Sequence, residues 1–490
     1  MRKSFLLPLL LLLFSAAMGL LSPGFFESDE LTHFLKAREL FYNWHQLLDI
    51  WARPACTGLY GLAAAVGGLD AARILAVVIT GFVGWGTMQL LAVLPARPEA
   101  EVNNYFTRTA RGWAWLLLYA QPLFLLNSFT VMTEMLLACA WVWAAVMIWR
   151  NRIAAAGFLI GVGALARPEG WFAIACWPVF LMLWKWTAHD RTLSGRSVVA
   201  AVFLSVIPTV LWWLAGTLAY QNAAWMIDYF PWQVHSQYGR TGLLFVASSL
   251  AALALWMWIP VLAGAASLWR GRHRAAMLLL IVPAAAFFLL HATLGVFGLM
   301  GAMSLPRYFI CVAPLLAVLG VRGLQSLEAR TRRPRLLRKT VITLTILPLL
   351  LLLLANQLPI QKSTNERQLD VAIRSFMERG IPRDQWNSRV LASHPYVYYA
   401  LGIPMDTPFH NRIFHPDTIR DAPAGTYLFT DQVLWNREGL ASPEELMQWG
   451  YRYDPLVDRD IAHVPMAWDL NSSLFPGAGH MAVGLWVKDL

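Results

Sequence analysis

Long apolar runs alternate with short polar turns from the N-terminus to about residue 356. A run that crosses a bilayer as a helix needs roughly 20 apolar residues. The pattern therefore predicts a polytopic all-α membrane region, residues 1–356, with about 11 transmembrane helices. We place these predicted spans at approximately 5–21, 72–94, 112–127, 135–149, 153–166, 171–186, 198–219, 243–268, 275–295, 308–321 and 340–356.

The pattern changes after residue 356, where charges become frequent and apolar runs become short. Asn365–Arg379 has helical spacing, with Leu369, Ile373 and Phe376 on one stripe. These features predict a small C-terminal α/β domain over residues 357–490. We expect its strands at 389–393, 426–430 and 481–488, and short helices at 395–401 and 443–449.

The first outer loop, residues 22–69, is long enough to hold its own helices. Asp29–Leu48 has the spacing of an amphipathic helix that lies in the membrane interface. Trp44, Trp51 and Tyr60 suit the headgroup level, where amphipathic aromatic rings are enriched.

Composition supports this architecture and excludes one class of partner. The chain is 58% hydrophobic and 14% charged, whereas a soluble domain has roughly 25% charged residues. The excess of Lys and Arg is scattered through loops between apolar runs, which is a topology signal and not a nucleic-acid surface. It predicts a cytoplasmic N-terminus and an outer C-terminal domain, with the lipid bilayer as partner. The four cysteines show no metal-ligand spacing.

With that topology, unusual polar residues gather on the outer face. Charge near a membrane is costly unless it is paired, solvated or used. A carboxylate there can act as a general base on a hydroxyl, and an arginine can bind a phosphate through two hydrogen bonds. The combination favours transfer from a lipid-linked phosphosugar. These residues are Asp29, Glu30, His33, Glu134, Arg167, Glu169, His235, Arg240 and Arg307.

Three short segments carry a resemblance to a known family. Asp29-Glu30-Leu31-Thr32-His33-Phe34, Ala166-Arg167-Pro168-Glu169-Gly170 and Pro306-Arg307-Tyr308 are similar to segments of the integral-membrane glycosyltransferases with the GT-C fold. The first resembles the acidic segment in the first outer loop of protein O-mannosyltransferases, Alg-type mannosyltransferases and lipid A aminoarabinose transferases. The architecture matches over the whole chain, including the outer domain, but the shifted spacing of His33 leaves the subfamily open.

The resemblance implies a sugar transferase of the bacterial inner membrane with a periplasmic C-terminal domain. Its donor would be a polyprenyl-phosphate sugar, with mannose or another hexose, and its acceptor a lipid, glycan or protein on the outer face. Transfer would invert the anomeric configuration, and no cofactor is expected. The implied roles are catalysis for Asp29 and Glu30, donor-phosphate binding for Arg307, Arg167 and Arg240, and support or acceptor positioning for Glu134, His33, Glu169 and Tyr308.

Each candidate also has a structural interpretation. Asp29 and Glu30 fit the first turn of a helix capped by Ser28, and Arg307 fits a side chain that snorkels from a span end to water. Arg167 and Glu169 could pair with each other, and Glu134 could cap the fourth span. We expect Glu27 and His33 to be interfacial residues.

The sequence also contains one candidate metal site and one candidate nucleotide-sugar motif. Asp29 with Glu134 is the alternative that would hold a divalent cation. Asp458-Arg459-Asp460 imitates a nucleotide-sugar motif but lies in the predicted outer domain, so we interpret it as a solvated loop.

Two other classes of function remain open from the sequence. A transporter or flippase of lipid-linked sugars would favour inverted repeats and broken spans, which the sequence does not show. A transporter would also not need a carboxylate directly after the first span, or a large outer domain. The second alternative is a non-catalytic subunit of polysaccharide assembly. Both fit the composition, so the functional residues must decide.

Overall fold

The computed structural model describes residues 5–94, 105–187, 193–231, 240, 242–300, 305–355, 357–405, 416–431, 434–437, 440–454 and 483–489. Within them the chain is mostly helical. The α-helices are α1 Leu6–Leu21, α2 Ser28–Glu39, α3 Pro54–Val93, α4 Tyr105–Arg108, α5 Ala110–Tyr119, α6 Pro122–Asn127, α7 Glu134–Trp149, α8 Ile153–Ala166, α9 Glu169–Thr187, α10 Gly195–Tyr220, α11 Trp225–Asp228, α12 Leu243–Ala254, α13 Trp258–Arg270, α14 Arg274–Phe297, α15 Ala313–Arg330, α16 Pro334–Leu354, α17 Thr364–Met377, α18 Trp386–Arg389, α19 Pro395–Leu401, α20 Pro416–Arg420, α21 Leu434–Arg437 and α22 Pro443–Gln448. Short 3₁₀ segments lie at Trp44–Leu48, Leu255–Met257, Pro306–Val312 and Arg383–Gln385.

Helical segments occupy all the predicted spans, and the chain is a multi-pass membrane protein. Five helices are long and apolar enough to cross a membrane: α3, α10, α14, α16 and the continuous segment Pro306–Arg330. Shorter apolar helices are α1, α7 and α8. The count of about 11 spans remains a prediction. Two of the predicted spans are broken. The third is interrupted between α5 and α6, and the eighth is interrupted at Leu255, whose φ is 45°.

Helix α3 has a kink at Gly68. Gly68 has φ 64° and ψ −153° inside the helix. A positive φ is accessible to glycine because it has no Cβ. The kink falls close to residue 69, where the sequence predicts that the first outer loop ends.

The C-terminal part contains a four-stranded sheet in the order β1 (Val390–Ala392), β2 (Tyr427–Thr430), β4 (Gly484–Lys488) and β3 (Tyr451–Tyr453). β1 and β2 are parallel, and the β2–β4 and β3–β4 pairs are antiparallel. Helix α17 begins with a capping box in which Ser363 and Glu366 exchange hydrogen bonds. The separation of this part as a periplasmic domain remains a prediction.

The C-terminal part packs against the segment that follows α1. The ring of Phe25 lies edge-on to Tyr399 at a centroid distance of 5.3 Å. Arg38 Nη2 donates to the carbonyl oxygen of Ile403 at 3.3 Å, and the backbone N–H of Met405 donates to Glu39 Oε1 at 2.8 Å. Helix α2 is therefore fixed between the membrane helices and the C-terminal part.

The prediction of one interfacial helix over 29–48 is wrong in its extent and its environment. Helix α2 ends at Glu39, and a 3₁₀ segment follows at Trp44–Leu48. The apolar stripe of α2 faces protein and not lipid, since Leu31 and Leu35 have no exposed surface. Tyr60 is also fully buried and not at a lipid-facing position. The stripe is buried because α3 and α19 cover it.

Candidate active site

Arg307 is at the centre of a buried cluster of charges. Its Nη1 lies 2.7 Å from Glu27 Oε2, its Nη2 pairs with Asp29 Oδ2, and its Nε lies 3.7 Å from Glu134 Oε1. Pro306 fixes the start of the 3₁₀ segment that carries it. All three guanidinium nitrogens therefore face carboxylates from two separate parts of the chain.

Arg167 forms a second centre, in the turn between α8 and α9. Its Nη1 lies 2.6 Å from Glu134 Oε1 and 3.0 Å from Thr133 Oγ1. Glu169 accepts two hydrogen bonds from the same guanidinium, at 2.8 Å from Nη2 and 3.1 Å from Nε. Bidentate geometry fixes both groups strongly. Glu134 lies between the two arginines and links the clusters.

Two aromatic side chains complete the site. The ring of Tyr308 lies 4.8 Å from Arg167 Cζ and 5.5 Å from Arg307 Cζ, within the range of cation–π attraction. His291, on α14, places Nε2 3.3 Å from Glu169 Oε1 and its ring 5.2 Å from that of Tyr308. The contact of His291 with Glu169 therefore joins α14 to the cluster.

Exposure differs sharply among the carboxylates. The side chain of Glu134 is 1% exposed, whereas those of Glu27 and Asp29 are 16% and 26% exposed. Arg307 is 5% exposed, so it does not snorkel to water. Asp29 is thus the most accessible member of the ion-paired cluster, at the first turn of α2.

His33 and Arg53 lie beside this cluster. The His33 ring stacks on Trp51 at 4.8 Å. Burial lowers the pKa of His33 to about 3, against a raising effect from Asp29 and further lowering by nearby arginines. Burial, with the charge of Arg167, lowers the pKa of Arg53 to about 10. Arg53 has φ 68°, an uncommon conformation that concentrates at functional sites.

Glu30 points the other way, into the protein. Its Oε1 accepts from Arg73 Nε at 3.0 Å and its Oε2 accepts from the backbone N–H of Phe26 at 2.7 Å. Arg73 also donates to the carbonyl oxygens of Gly19, Ser22 and Gly24. Both side chains are essentially inaccessible. This pair fixes the turn that joins α1, α2 and α3.

The structure brings together most of the residues that the sequence singles out. Asp29, Glu134, Arg167, Glu169, Arg307 and Tyr308 share one network, with His33 beside it. Arg240 is exposed and has no ion pair with the cluster in the described part of the chain. His235 and Asp458-Arg459-Asp460 lie outside the described residues.

The structural interpretations of these residues have different outcomes. Arg167 and Glu169 do pair. Glu134 is the first residue of α7 and not its cap, because the N-cap position is Thr133 and no side chain caps the helix there. Ser28 is the first residue of α2, while the N-cap position is Glu27 and no side chain caps the helix there. The roles of the site residues in catalysis remain predictions.

Four residues of the network and its surroundings escaped the sequence reasoning. Glu27 was interpreted as interfacial only, yet it pairs with Arg307. Arg73 and His291 lie inside predicted spans, and an ionisable residue within a span is itself a sign of function or pairing. Arg53 directly precedes Pro54 but carried no recognisable motif.

The carboxylates of the site form ion pairs with arginines. Asp29 and Glu134, the alternative metal ligands, both face Arg307. Among the described residues, no group of three or more His, Cys, Asp or Glu is placed to hold a metal ion. The expectation that no cofactor is needed remains a prediction.

Comparison with known proteins shows the fold. No family model and no curated protein sequence matches the chain. Among solved structures, ArnT from Cupriavidus metallidurans in the apo state matches with a TM-score of 0.62 at 14% identity, over 99% of this chain and 98% of that chain.

Two further solved structures have the same fold. The same ArnT bound to undecaprenyl phosphate matches with a TM-score of 0.61 at 14% identity, over 99% and 97% of the two chains. The apo oligosaccharyltransferase of Archaeoglobus fulgidus matches with a TM-score of 0.52 at 12% identity, over 96% and 75%. Both kinds of neighbour are GT-C glycosyltransferases. The chain therefore has the GT-C fold, as its short motifs predict.

Proposed function

We propose that the protein is a membrane glycosyltransferase that moves a hexose, such as mannose, from a polyprenyl phosphate to an acceptor on the outer face. The observation that carries the proposal is Asp29, an accessible carboxylate held by the buried guanidinium of Arg307. The GT-C fold supports this class of chemistry, and an ArnT of the same fold binds undecaprenyl phosphate. The acceptor is a lipid, a glycan or a protein.

In the proposed reaction, Asp29 takes the proton from an acceptor hydroxyl. The acceptor oxygen attacks the anomeric carbon from the face opposite the phosphate. The bond from that carbon to the phosphate oxygen breaks, and the polyprenyl phosphate leaves with the electron pair. Inversion follows from this single displacement. Arg307 stabilises the charge that develops on the leaving phosphate.

The groups around Asp29 and Arg307 have positioning roles in this proposal. Arg167 has its guanidinium engaged by Glu134 and Glu169, so we assign it to positioning of Glu134 and not to the phosphate. Glu134 in turn faces Arg307 Nε. Glu30, paired with Arg73, positions the backbone of α2 on which Asp29 lies.

We further propose a location for this reaction. The positive-inside pattern of the loops supports a cytoplasmic N-terminus and a periplasmic C-terminal part in a bacterial inner membrane. The packing of α2 against that C-terminal part would then put Asp29 at the periplasmic side. Modification of introduced cysteines by a membrane-impermeant reagent tests this orientation.

The test is a transfer assay with the purified full-length protein. Radiolabelled polyprenyl-phosphate mannose and glucose are supplied with a panel of acceptor lipids, glycans and peptides. We expect a labelled product from the wild type and from a control, Asp370→Asn, whose partly exposed carboxylate pairs with Lys362 in the C-terminal part and not with the arginines of the cluster. We expect none from Asp29→Asn. Full transfer by correctly folded Asp29→Asn would refute the assignment.

A further inference from the structure

Each guanidinium nitrogen of Arg307 lies near a carboxylate of the described part of the chain. Nη1 faces Glu27, Nη2 pairs with Asp29, and Nε faces Glu134. A phosphate that approaches this guanidinium would place a further anion beside three carboxylates. Like charges at such short range repel strongly in a poorly solvated site. One carboxylate must therefore leave Arg307 when a phosphate binds to it.

The three carboxylates differ in their freedom to leave. Glu134 is almost fully buried and is also bound by Arg167 at 2.6 Å. Glu27 is 16% exposed and occupies the N-cap position of α2, with an extended backbone. Asp29 is 26% exposed and is the most accessible of the three. Water can solvate a departing Asp29 carboxylate better than either of the others.

We propose that the donor phosphate replaces Asp29 on Arg307, and that Glu27 stays bound to Nη1 as the residue that positions the guanidinium. This inference rests on the proposed function. Glu27 contacts neither the acceptor nor the sugar in this scheme, so it is a positioning residue. The exchange needs only a side-chain rotation of Asp29, because α2 is held in place by the Glu30–Arg73 pair and by the C-terminal part.

The exchange has a consequence for the order of events. While Asp29 Oδ2 is paired with Arg307 Nη2, that oxygen is occupied and does not accept a hydrogen bond from an acceptor hydroxyl. Departure of Asp29 from Arg307 when the donor binds makes the oxygen available to that hydroxyl. Donor binding would thus release the base, and deprotonation of an acceptor would follow donor binding.

Binding of a lipid phosphate without its sugar tests this inference. The probe is undecaprenyl phosphate, with undecaprenol as the uncharged reference, titrated into purified full-length protein and followed by tryptophan fluorescence. Asp29→Asn removes the competing charge, so we expect tighter binding of the phosphate by several-fold. Glu27→Gln removes the negative charge 2.7 Å from Arg307 Nη1 and so loosens the guanidinium, and we expect weaker binding by about tenfold. Asp370→Asn is the control and should bind as the wild type does.

The outcomes separate this inference from the proposed function. If the wild type does not prefer undecaprenyl phosphate to undecaprenol, both fall. If it does, and Arg307→Ala loses the preference while Asp29→Asn does not bind more tightly, the function stands and the exchange is refuted. Tighter binding by Glu27→Gln with weaker binding by Asp29→Asn would reverse the two roles and also refute the proposal.

A folding defect would not hide the answer. Thermal unfolding and size-exclusion profiles of each variant are measured first. If Glu27→Gln does not fold, Glu27→Asp keeps the charge on a shorter side chain and should weaken binding less than tenfold. The tightening in Asp29→Asn is a gain that a damaged structure does not produce.

Discussion

Asp29 and Glu30 are neighbours in the chain and occupy opposite kinds of site. Glu30 is buried and forms an ion pair with Arg73. Glu30 also accepts a hydrogen bond from the backbone N–H of Phe26, and Arg73 also donates to backbone carbonyl oxygens. Asp29 pairs with Arg307 at an accessible edge where carboxylates outnumber the two guanidiniums. The first arrangement holds the chain together, and the second keeps charge where a substrate can meet it.

The difference follows from helix geometry. Successive residues on a helix point about 100° apart, because a turn takes 3.6 residues. Asp29 and Glu30 therefore leave the first turn of α2 in different directions, one to the open edge and one to α3. A motif of two adjacent acids is not a catalytic pair by that fact alone. Its two members can serve chemistry and structure separately.

The largest expected effect is on Asp29. Asp29→Asn should lower transfer by about 100- to 10,000-fold, the usual contribution of a general base. The thermal unfolding midpoint should change little, because the side chain is partly solvated and the amide keeps a similar shape. Rate and unfolding are measured on the same preparation. A large fall in the midpoint would place Asp29 with Glu30 as a structural residue.

Glu30→Gln should show the reverse behaviour. Removal of one partner from a buried ion pair leaves an uncompensated charge and typically costs about 3–5 kcal/mol. We expect a clear loss in the free energy of unfolding, measured by denaturant titration in detergent. A stable Glu30→Gln protein without transfer activity would show that Glu30 acts in the chemistry, against the division proposed here.

The pH dependence at His33 has a smaller expected effect. Its pKa is lowered from 6.5 to about 3 by burial, so the unfolded state binds the proton more readily. Stability should be constant above pH 6.5 and should fall as the pH drops from 6.5 towards 3. The expected loss from pH 6.5 to 5.5 is about 1 kcal/mol. His33→Gln should reduce this slope, and an unchanged slope would assign the titration to another group.

The smallest effect is expected at the exposed pair of Lys362 and Asp370. The two side chains are 32% and 30% exposed, with a separation of 2.8 Å. Partly exposed pairs of this kind contribute about 0–1 kcal/mol. Asp370 also accepts a hydrogen bond from Tyr396 Oη at 2.7 Å, which the side-chain oxygen of an asparagine can still accept. Asp370→Asn should therefore change neither transfer nor unfolding appreciably. A large loss of stability would mean that the contrast between buried and exposed pairs does not hold here.

Much of the fold was predictable because each membrane helix must be apolar and self-satisfied in its hydrogen bonds. Helices lie at each predicted span, and β1, β2 and β4 lie in the predicted strand segments. The break at Leu255 was not predictable, since the apolar run continues through it. β3 was missed because Tyr451–Tyr453 is too short to show a pattern.

The sequence predicts which residues belong to the candidate site better than it predicts which of them form ion pairs with each other. Arg307, Arg167, Glu134 and Asp29 stand out in sequence because each is a charge next to an apolar run. Glu27 also stands beside that apolar run, but we predicted an interfacial position for it, because its pairing with Arg307 depends on the fold. Arg240 was grouped with the other arginines by topology alone, yet it is exposed.

Hydropathy and charge act locally along the chain, so the sequence alone predicts a polytopic membrane protein with an acidic segment after its first span. The partners of each acid depend on the fold. Ion pairs between residues as distant as Asp29 and Arg307 depend on how the helices pack. That packing assigns Arg73 to Glu30 and Arg307 to Glu27 and Asp29, and so divides one acidic motif between structure and proposed chemistry.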